Sequence, residues 1–478
     1  MNLKELLYNE TTKTRTENGA LAYSTTKSAI LDLFGIGGAG RNLETSVIYQ
    51  KISQAFGEDA ELGIKCLLFL GDIREGQGER RLFKIGLTVI ADTQPKEIVH
   101  RVFDNVANFT RWDYLWDFIY YHKYSTYVLD LVKKEVESGK LSLIYKWLPS
   151  LQRQTKLALI IAEHLGLSKK EYRQMLSRKR QELKIVERTM SDNEWAKINY
   201  EHVPSKASLI YKDAFNRHDE ERYQEYLSSV ERGEKKINAS TLYPHELVYR
   251  AFIENDRTVE ALWKSLPDFV KEKDKNILPM VDVSGSMGCV ISSQSNVEAI
   301  HVSIGLGLYL SERLKGEFKD CVLTFSDSPQ LVKITGTSLF QKIQNISRVN
   351  WDMNTNIIKA FMLILNLAVK HNLPKDELPS TIVVFSDMEF DSASRNDQTP
   401  FDNIKEQYNI NGYELPQVVF WNLNARNVQF PVRQDQRGVI LVSGYSPTTL
   451  QYVLTGEMKT PYELMIEVLS KERYNIFV

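Results

Sequence analysis

Along the first half of the chain apolar residues recur at three- and four-residue intervals, as in Leu82, Ile85 and Val89 or Leu157 and Ile160. That spacing predicts amphipathic helices over about 43–54, 58–70, 77–91, 95–106, 111–120, 124–138, 142–148, 151–165 and 168–175. Further helices are expected at 206–216, through the charged stretch 217–236, up to about 253, and at 256–269. Short connections between helices of three or four turns suit a HEAT-like repeat, a horseshoe or a ring, although no crisp repeated motif stands out. The pattern then changes. Apolar runs of four to seven residues at 277–282, 321–325, 331–334, 380–386, 417–422 and 438–442 alternate with helix-like stretches at 296–314, 338–347, 356–370 and 460–470. Strands separated by helices imply a mostly parallel sheet covered on both faces, with 331–334 as an edge strand. The expected fold class is α + α/β. A helical-repeat domain would span 1–274 and a Rossmann-like domain 275–478.

The chain has 478 residues, 43% of them apolar and 25% charged, which suits a soluble globular protein of at least two domains. Its net charge of -1 excludes a generally basic nucleic-acid binder, so any phosphate contact must come from a local patch. Cys66, Cys289 and Cys321 lack metal-ligand spacing, and Cys66 and Cys321 sit in apolar runs where a buried thiol is expected. A reducing, cytoplasmic setting follows as the expectation. The polar start Met1-Asn2-Leu3-Lys4-Glu5 and the lack of an 18-residue apolar segment lead us to expect neither a signal peptide nor a membrane span.

The run Ile277–Asp282 ends in Asp282-Val283-Ser284-Gly285-Ser286, followed by a polar loop and a helix. Asp282, Ser284 and Ser286 offer three oxygens within five residues outside the carboxyl end of a strand, where sites of open α/β folds lie. Oxygen-only ligation suits a hard cation, Mg2+ first, with Mn2+ or Ca2+ as substitutes. This stretch matches the DxSxS signature of von Willebrand factor A domains. The resemblance implies a metal-ion-dependent adhesion site completed by a Thr and an Asp from later loops, and Thr355 and Asp387 occur in the right order. It also implies an open coordination position that accepts a carboxylate from a partner protein. Asn354-Thr355-Asn356 departs from the Gly-Gly-Thr often found there. The alternative is that Asp282 and Ser284 cap the next helix and Asp387 opens a turn. Asp327 and Glu389 lie close enough in sequence to act around the site or merely in turns.

Other stretches are less specific. The glycines of Gly35-Ile36-Gly37-Gly38-Ala39-Gly40-Arg41 break a helix capped by Ser24, Thr25 or Thr26, and lack the preceding strand and the Gly-Lys-Ser/Thr of a phosphate loop. In Gly71–Arg81, Asp72 with Arg74 and Glu79 with Arg80 or Arg81 suit an ion-paired helix corner; a phosphate backbone is the other option for these arginines. Trp112 and Trp116, four residues apart, suit the core of one helix face. Lys169, Lys170, Arg173, Arg178, Lys179, Arg180, Lys184 and Arg188 outnumber Glu171, Glu182 and Glu187. They are either a solvated helix face or, with Lys206 and Lys212, a contact for RNA phosphates. His202 and His245 sit near prolines and suit structural hydrogen bonds. A hydrolase would need a base beside Ser205 or Ser284, and the sequence places none there.

Asn18-Gly19-Ala20, Arg74–Arg80, Val203-Pro204-Ser205-Lys206 and Pro244-His245-Glu246 resemble landmarks of the domain-of-unknown-function 2828 family along nearly the whole chain. The organisation resembles, more distantly, the Ro autoantigen (TROVE) family, which implies a helical ring binding structured or misfolded small RNA beside an A domain. Three functions follow as expectations: a non-enzymatic RNA-binding scaffold whose metal site recruits a protein, a purely protein-binding adaptor, and a metal-assisted phosphoesterase.

Overall fold

The structure is a computed structural model. It describes residues 10–120, 123–270, 276–292, 295–325, 328–348, 355–392, 398–454 and 457–477. The chain divides into two compact units, one made of 1–86 with 240–475 and the other of 87–239 with the last residues. The boundary expected at 274/275 therefore falls inside the first unit, and the amino-terminal 86 residues belong with the sheet rather than with the helices that follow them.

The sheet of the first unit is built from β3 (Ile277–Asp282), β4 (Cys321–Phe325), β5 (Leu331–Lys333), β6 (Thr381–Ser386), β7 (Gln417–Asn422) and β8 (Val439–Ser443). Their order is β5-β4-β3-β6-β7-β8; all neighbours are parallel except the β4–β5 pair. Every residue of β3, β6, β7 and β8 is buried, which explains their unbroken apolar runs. The strands expected from the sequence are all present, and β5 is the edge strand. Counted within this sheet the order is 3-2-1-4-5-6, which places the topological switch beside β3, the first strand, and leaves a crevice at its carboxyl end.

Among the described residues several elements escaped the sequence pattern, the short helices Val186–Ser191 and Leu450–Val453 included. A hairpin, β1 (Lys13–Arg15) with β2 (Leu21–Tyr23), lies in the polar amino-terminal stretch, and a helix spans Pro400–Ile410. The helix Ala29–Gly37 is capped by Ser28, whose side chain accepts from the Leu31 N–H, not by Ser24, Thr25 or Thr26. Thr26 instead bonds Asp32. Gly35 and Gly37 continue this helix rather than break it. Its buried flank leans on β8, where Ser443 Oγ donates to the Phe34 carbonyl at 3.0 Å and accepts from Gly38 N–H at 3.0 Å. A Cβ on Gly38 would stand 2.7 Å from the Ser443 carbonyl oxygen, so close packing is the work of this glycine cluster.

The Gly71–Arg81 corner joins the expected neighbours through their backbones, Arg74 N–H donating to Asp72 and Arg81 N–H to Glu79, and adds ion pairs to distant arginines. Asp72, fully buried, takes two hydrogen bonds from Arg473, at 2.5 and 2.8 Å. Glu79 pairs with Arg41 at 2.5 Å.

The regular elements of the second unit are all helices among its described residues, including Lys96–Phe109, Ser125–Glu137, Thr155–His164, Lys169–Glu182, Ser205–His218 and Glu220–Glu231. Trp116 is buried and donates to the Trp147 carbonyl, whereas Trp112 is half-buried. The helix expected over 111–120 is a 3-10 turn, Trp112–Leu115, followed by one short α-turn, so the four-residue spacing does not set both rings on one face. No helix among the described residues is long and apolar enough to cross a membrane.

Candidate metal centre

The carboxyl ends of β3 and β6 bring Asp282, Ser284 and Asp387 together. Asp282 Oδ1 accepts from both the Ser284 N–H (3.0 Å) and the Ser284 hydroxyl (2.6 Å), and Ser284 Oγ lies 3.0 Å from Ser286 Oγ. Asp282 Oδ2 accepts from Ser386 Oγ at 2.6 Å. Asp387 Oδ1 accepts from the Glu389 N–H, and Oδ2 from Arg426 at 3.0 Å. The chain leaves β6 through Met388, whose φ of 66° is left-handed, a strained turn of the kind that collects at functional sites. Thr355 opens the helix-bearing segment on the other side. Its backbone N–H donates to Asp391 Oδ2, and its carbonyl accepts from the Asp391 N–H.

Asp282 and Asp387 are buried, whereas Asp391 is half-buried. Asp282 is 0% and Asp387 2% exposed, and burial raises both carboxyls above their usual range. For Asp387 the charge of Asp282 adds to burial, Arg426 opposes it, and the result is pushed up to about 7. Two like charges are thus held side by side with too little counter-charge. Thr355 Oγ1 is buried and, among the described residues, has no hydrogen-bond partner. Thr355 is bonded through its backbone to Asp391, whose charge acts on Asp282, and an under-neutralised acid pair with an orphaned hydroxyl to spare is what a hard divalent cation would satisfy. The donor set fits: Ser284, Ser286 and Thr355 as neutral oxygens, Asp282 and Asp387 as charges. No group of three or more His, Cys, Asp and Glu side chains is placed to hold a metal among the described residues. This set brings only two such side chains and takes its other oxygens from hydroxyls.

Sequence reasoning missed Ser386, Asp391, Arg426 and Glu17. Ser386 was within reach, since it is the last residue of β6 and its side chain closes on β3. Arg426 follows the carboxyl end of β7, the same edge of the sheet. Glu389 is 1% exposed and bonded by Glu17 N–H, Asn427 and Gln429, so it anchors loops around the site. Asp327 and Asn354 lie outside the described residues.

The expected phosphate contacts fare unevenly. Lys169, Lys170, Arg173, Arg178 and Lys184 are exposed, Arg178 lying 3.8 Å from Glu182. Arg180 is spent on the carbonyls of Tyr145 and Leu148, Lys179 pairs with Glu182, and Arg188 pairs with Asp192. Lys206 is half-buried. Lys212 is 3% exposed and paired with Asp213, so it is a structural cation and not a phosphate contact. Ser205 is buried against Asn238, and His245 packs between Tyr243 and Tyr445.

Two family models match the chain. The domain of unknown function DUF2828 covers residues 126–276, and a second, DUF7788, covers 276–474. Neither family has an assigned function. The DUF2828 resemblance is therefore narrower than the near-complete coverage expected from the sequence. An uncharacterized protein of Acanthamoeba polyphaga mimivirus, L728, is 28% identical over 95% of this chain and 87% of its own length. Among solved structures the RO (RSR) protein of Deinococcus radiodurans is similar, with a TM-score of 0.51 and 13% identity over 91% of this chain and all of that one. At that identity the likeness concerns the fold, an α-rich region with a mainly parallel α/β region.

Proposed function

We propose that the chain is a non-enzymatic scaffold whose von Willebrand factor A-like domain uses a divalent cation, Mg2+ foremost, to grip a carboxylate of a protein partner. The observation that carries this reading is the buried, under-neutralised Asp282–Asp387 pair, with the unpartnered Thr355 hydroxyl on a residue bonded to Asp391, whose charge acts on Asp282. The sheet order with its antiparallel edge β5 supports the A-domain assignment. Ser284, Ser286, Thr355, Asp282 and Asp387 would hold the ion, directly or through water. The ion supplies electrophilic binding of a carboxylate; the hydroxyls fix the loops, and burial keeps bulk water from screening the contact. In a pull-down with full-length protein, the partner should be lost on chelation and on Asp282→Ala. An unchanged partner set under both conditions overturns the proposal.

A second reading, an RNA-binding role for the helical HEAT-like region, is favoured by the exposed Lys169, Lys170, Arg173, Arg178 and Lys184. Those five cations are the phosphate contacts it predicts, in a cytoplasmic protein that binds structured RNA. The fold likeness to the RO protein agrees with it. Reversing these five charges should weaken binding of structured RNA and flatten its salt dependence; unaltered binding removes the reading.

A further inference from the structure

Arg426 stands beside Asp387 with its donors only partly used. Nη2 donates to Asp387 Oδ2 at 3.0 Å and faces Glu17 Oε2 at 3.2 Å. Nη1 has the Cys289 sulfur at 3.9 Å, a weak acceptor. Nε is buried and lacks a partner among the described residues. Glu17 comes from the loop of the β1–β2 hairpin, whose backbone is pinned to the loop after β6. Thr16 Oγ1 donates to the Phe390 carbonyl, the Glu17 N–H to Glu389, and Asn18 to the Glu389 carbonyl, each at 2.7 Å. The pinning fixes where the Glu17 side chain starts, but its carboxylate is 49% exposed and also meets Asn427 at 3.1 Å.

One guanidinium nitrogen thus joins an inner acid of the site to an acid exposed at its edge. We propose that Arg426 selects a carboxylate for this site, and that Glu17 is an internal stand-in displaced by an Asp or Glu side chain of the partner. The proposal rests on the carboxylate-gripping reading above and names the residue that sets its specificity. Asp282, Asp387 and Glu389 repel an approaching acid, and the guanidinium offsets that repulsion. Its planar fork has the unspent donors to take two carboxylate oxygens at once, which a lysine cannot do. A half-exposed ion pair contributes little, so exchanging Glu17 for an incoming acid costs little.

The test uses the full chain and the peptide Ac-Gly-Glu-Gly-NH2, with Ac-Gly-Gln-Gly-NH2 as control, titrated by ligand-observed NMR in Mg2+ and again in EDTA. Arg426→Gln should weaken the Glu peptide roughly tenfold. Arg426→Lys should recover only part of that loss. Glu17→Gln, an exposed and nearly isosteric change, should tighten it roughly twofold to fivefold. The Gln peptide should respond to none of the three variants. A Glu peptide that binds Glu17→Gln no better than wild type, or Arg426→Gln as well as wild type, overturns the proposal. A parallel Mn2+ titration separates the two ideas. If wild type takes up no Mn2+, the cation reading fails, while the variant differences in EDTA still decide the role of Arg426.

Discussion

Thr355 carries the sharpest residue-level consequence. Its hydroxyl is buried and unpartnered among the described residues, so replacing it by the isosteric valine removes a polar group that gains nothing from the fold. Thr355→Val should stabilise the cation-free protein by about 1 kcal/mol in chemical denaturation and at the same time weaken Mn2+ binding. Lower stability, or unchanged Mn2+ binding, would show that the hydroxyl has another role. The two acids give a pH dependence. A carboxyl whose pKa is raised on folding binds its proton more tightly in the folded state. Cation-free stability from Asp282 and Asp387 is therefore present at low pH and lost as pH rises above the ordinary carboxylate range, for Asp387 through about 7. Cation binding needs both acids ionised. The gain in melting temperature on adding Mg2+ should be larger at pH 8 than at pH 5.5; an equal or reversed gain contradicts the assignment. Asp282, Ser284 and Ser286 stand out in the sequence as strand-end oxygens, while Thr355 and Asp387 enter as candidates only through the A-domain resemblance. Arg426 and Glu17 do neither, because their meeting depends on a hairpin and a loop 409 residues apart in the chain.

Strands and most helices are legible in the sequence to within a few residues, because burial on both faces leaves unbroken apolar runs and half-burial leaves three-to-four spacing. The amino-terminal helix is the exception in meaning rather than existence. Ala29–Gly37 is buried nearly all round, the mark of a helix packed inside a larger unit. Its partner, β8, lies some four hundred residues away, so periodicity alone does not reveal it. The same holds for Asp72, which a local reading pairs with Arg74 and the fold pairs with Arg473. Asp72 is fully buried, so Arg473→Ala should cost about 3 kcal/mol by stranding its charge. Asp72→Asn with Arg473→Ala together should recover part of that loss in the same denaturant series. Additive losses would mean that the pair does not act as one.

At the scale of the whole molecule, the first unit interweaves the segments 1–86 and 240–475, while the regular elements of the second are all helices among its described residues. Near-neutral overall charge hid both the buried acids at the ends of β3 and β6 and the exposed cations of 169–184, because each is a local concentration that the total averages away. The proposed grip on a partner carboxylate depends on a divalent cation where β3 and β6 end. Calorimetric titration of the full chain with Mn2+ at pH 7.5 measures it most directly. The predicted result is one site per chain, weakened about a hundredfold or more in Asp387→Asn, a loss of the order expected on removing a charged ligand, with folding intact in chelator. No uptake at millimolar Mn2+, or uptake indifferent to Asp282→Asn and Asp387→Asn, would contradict it.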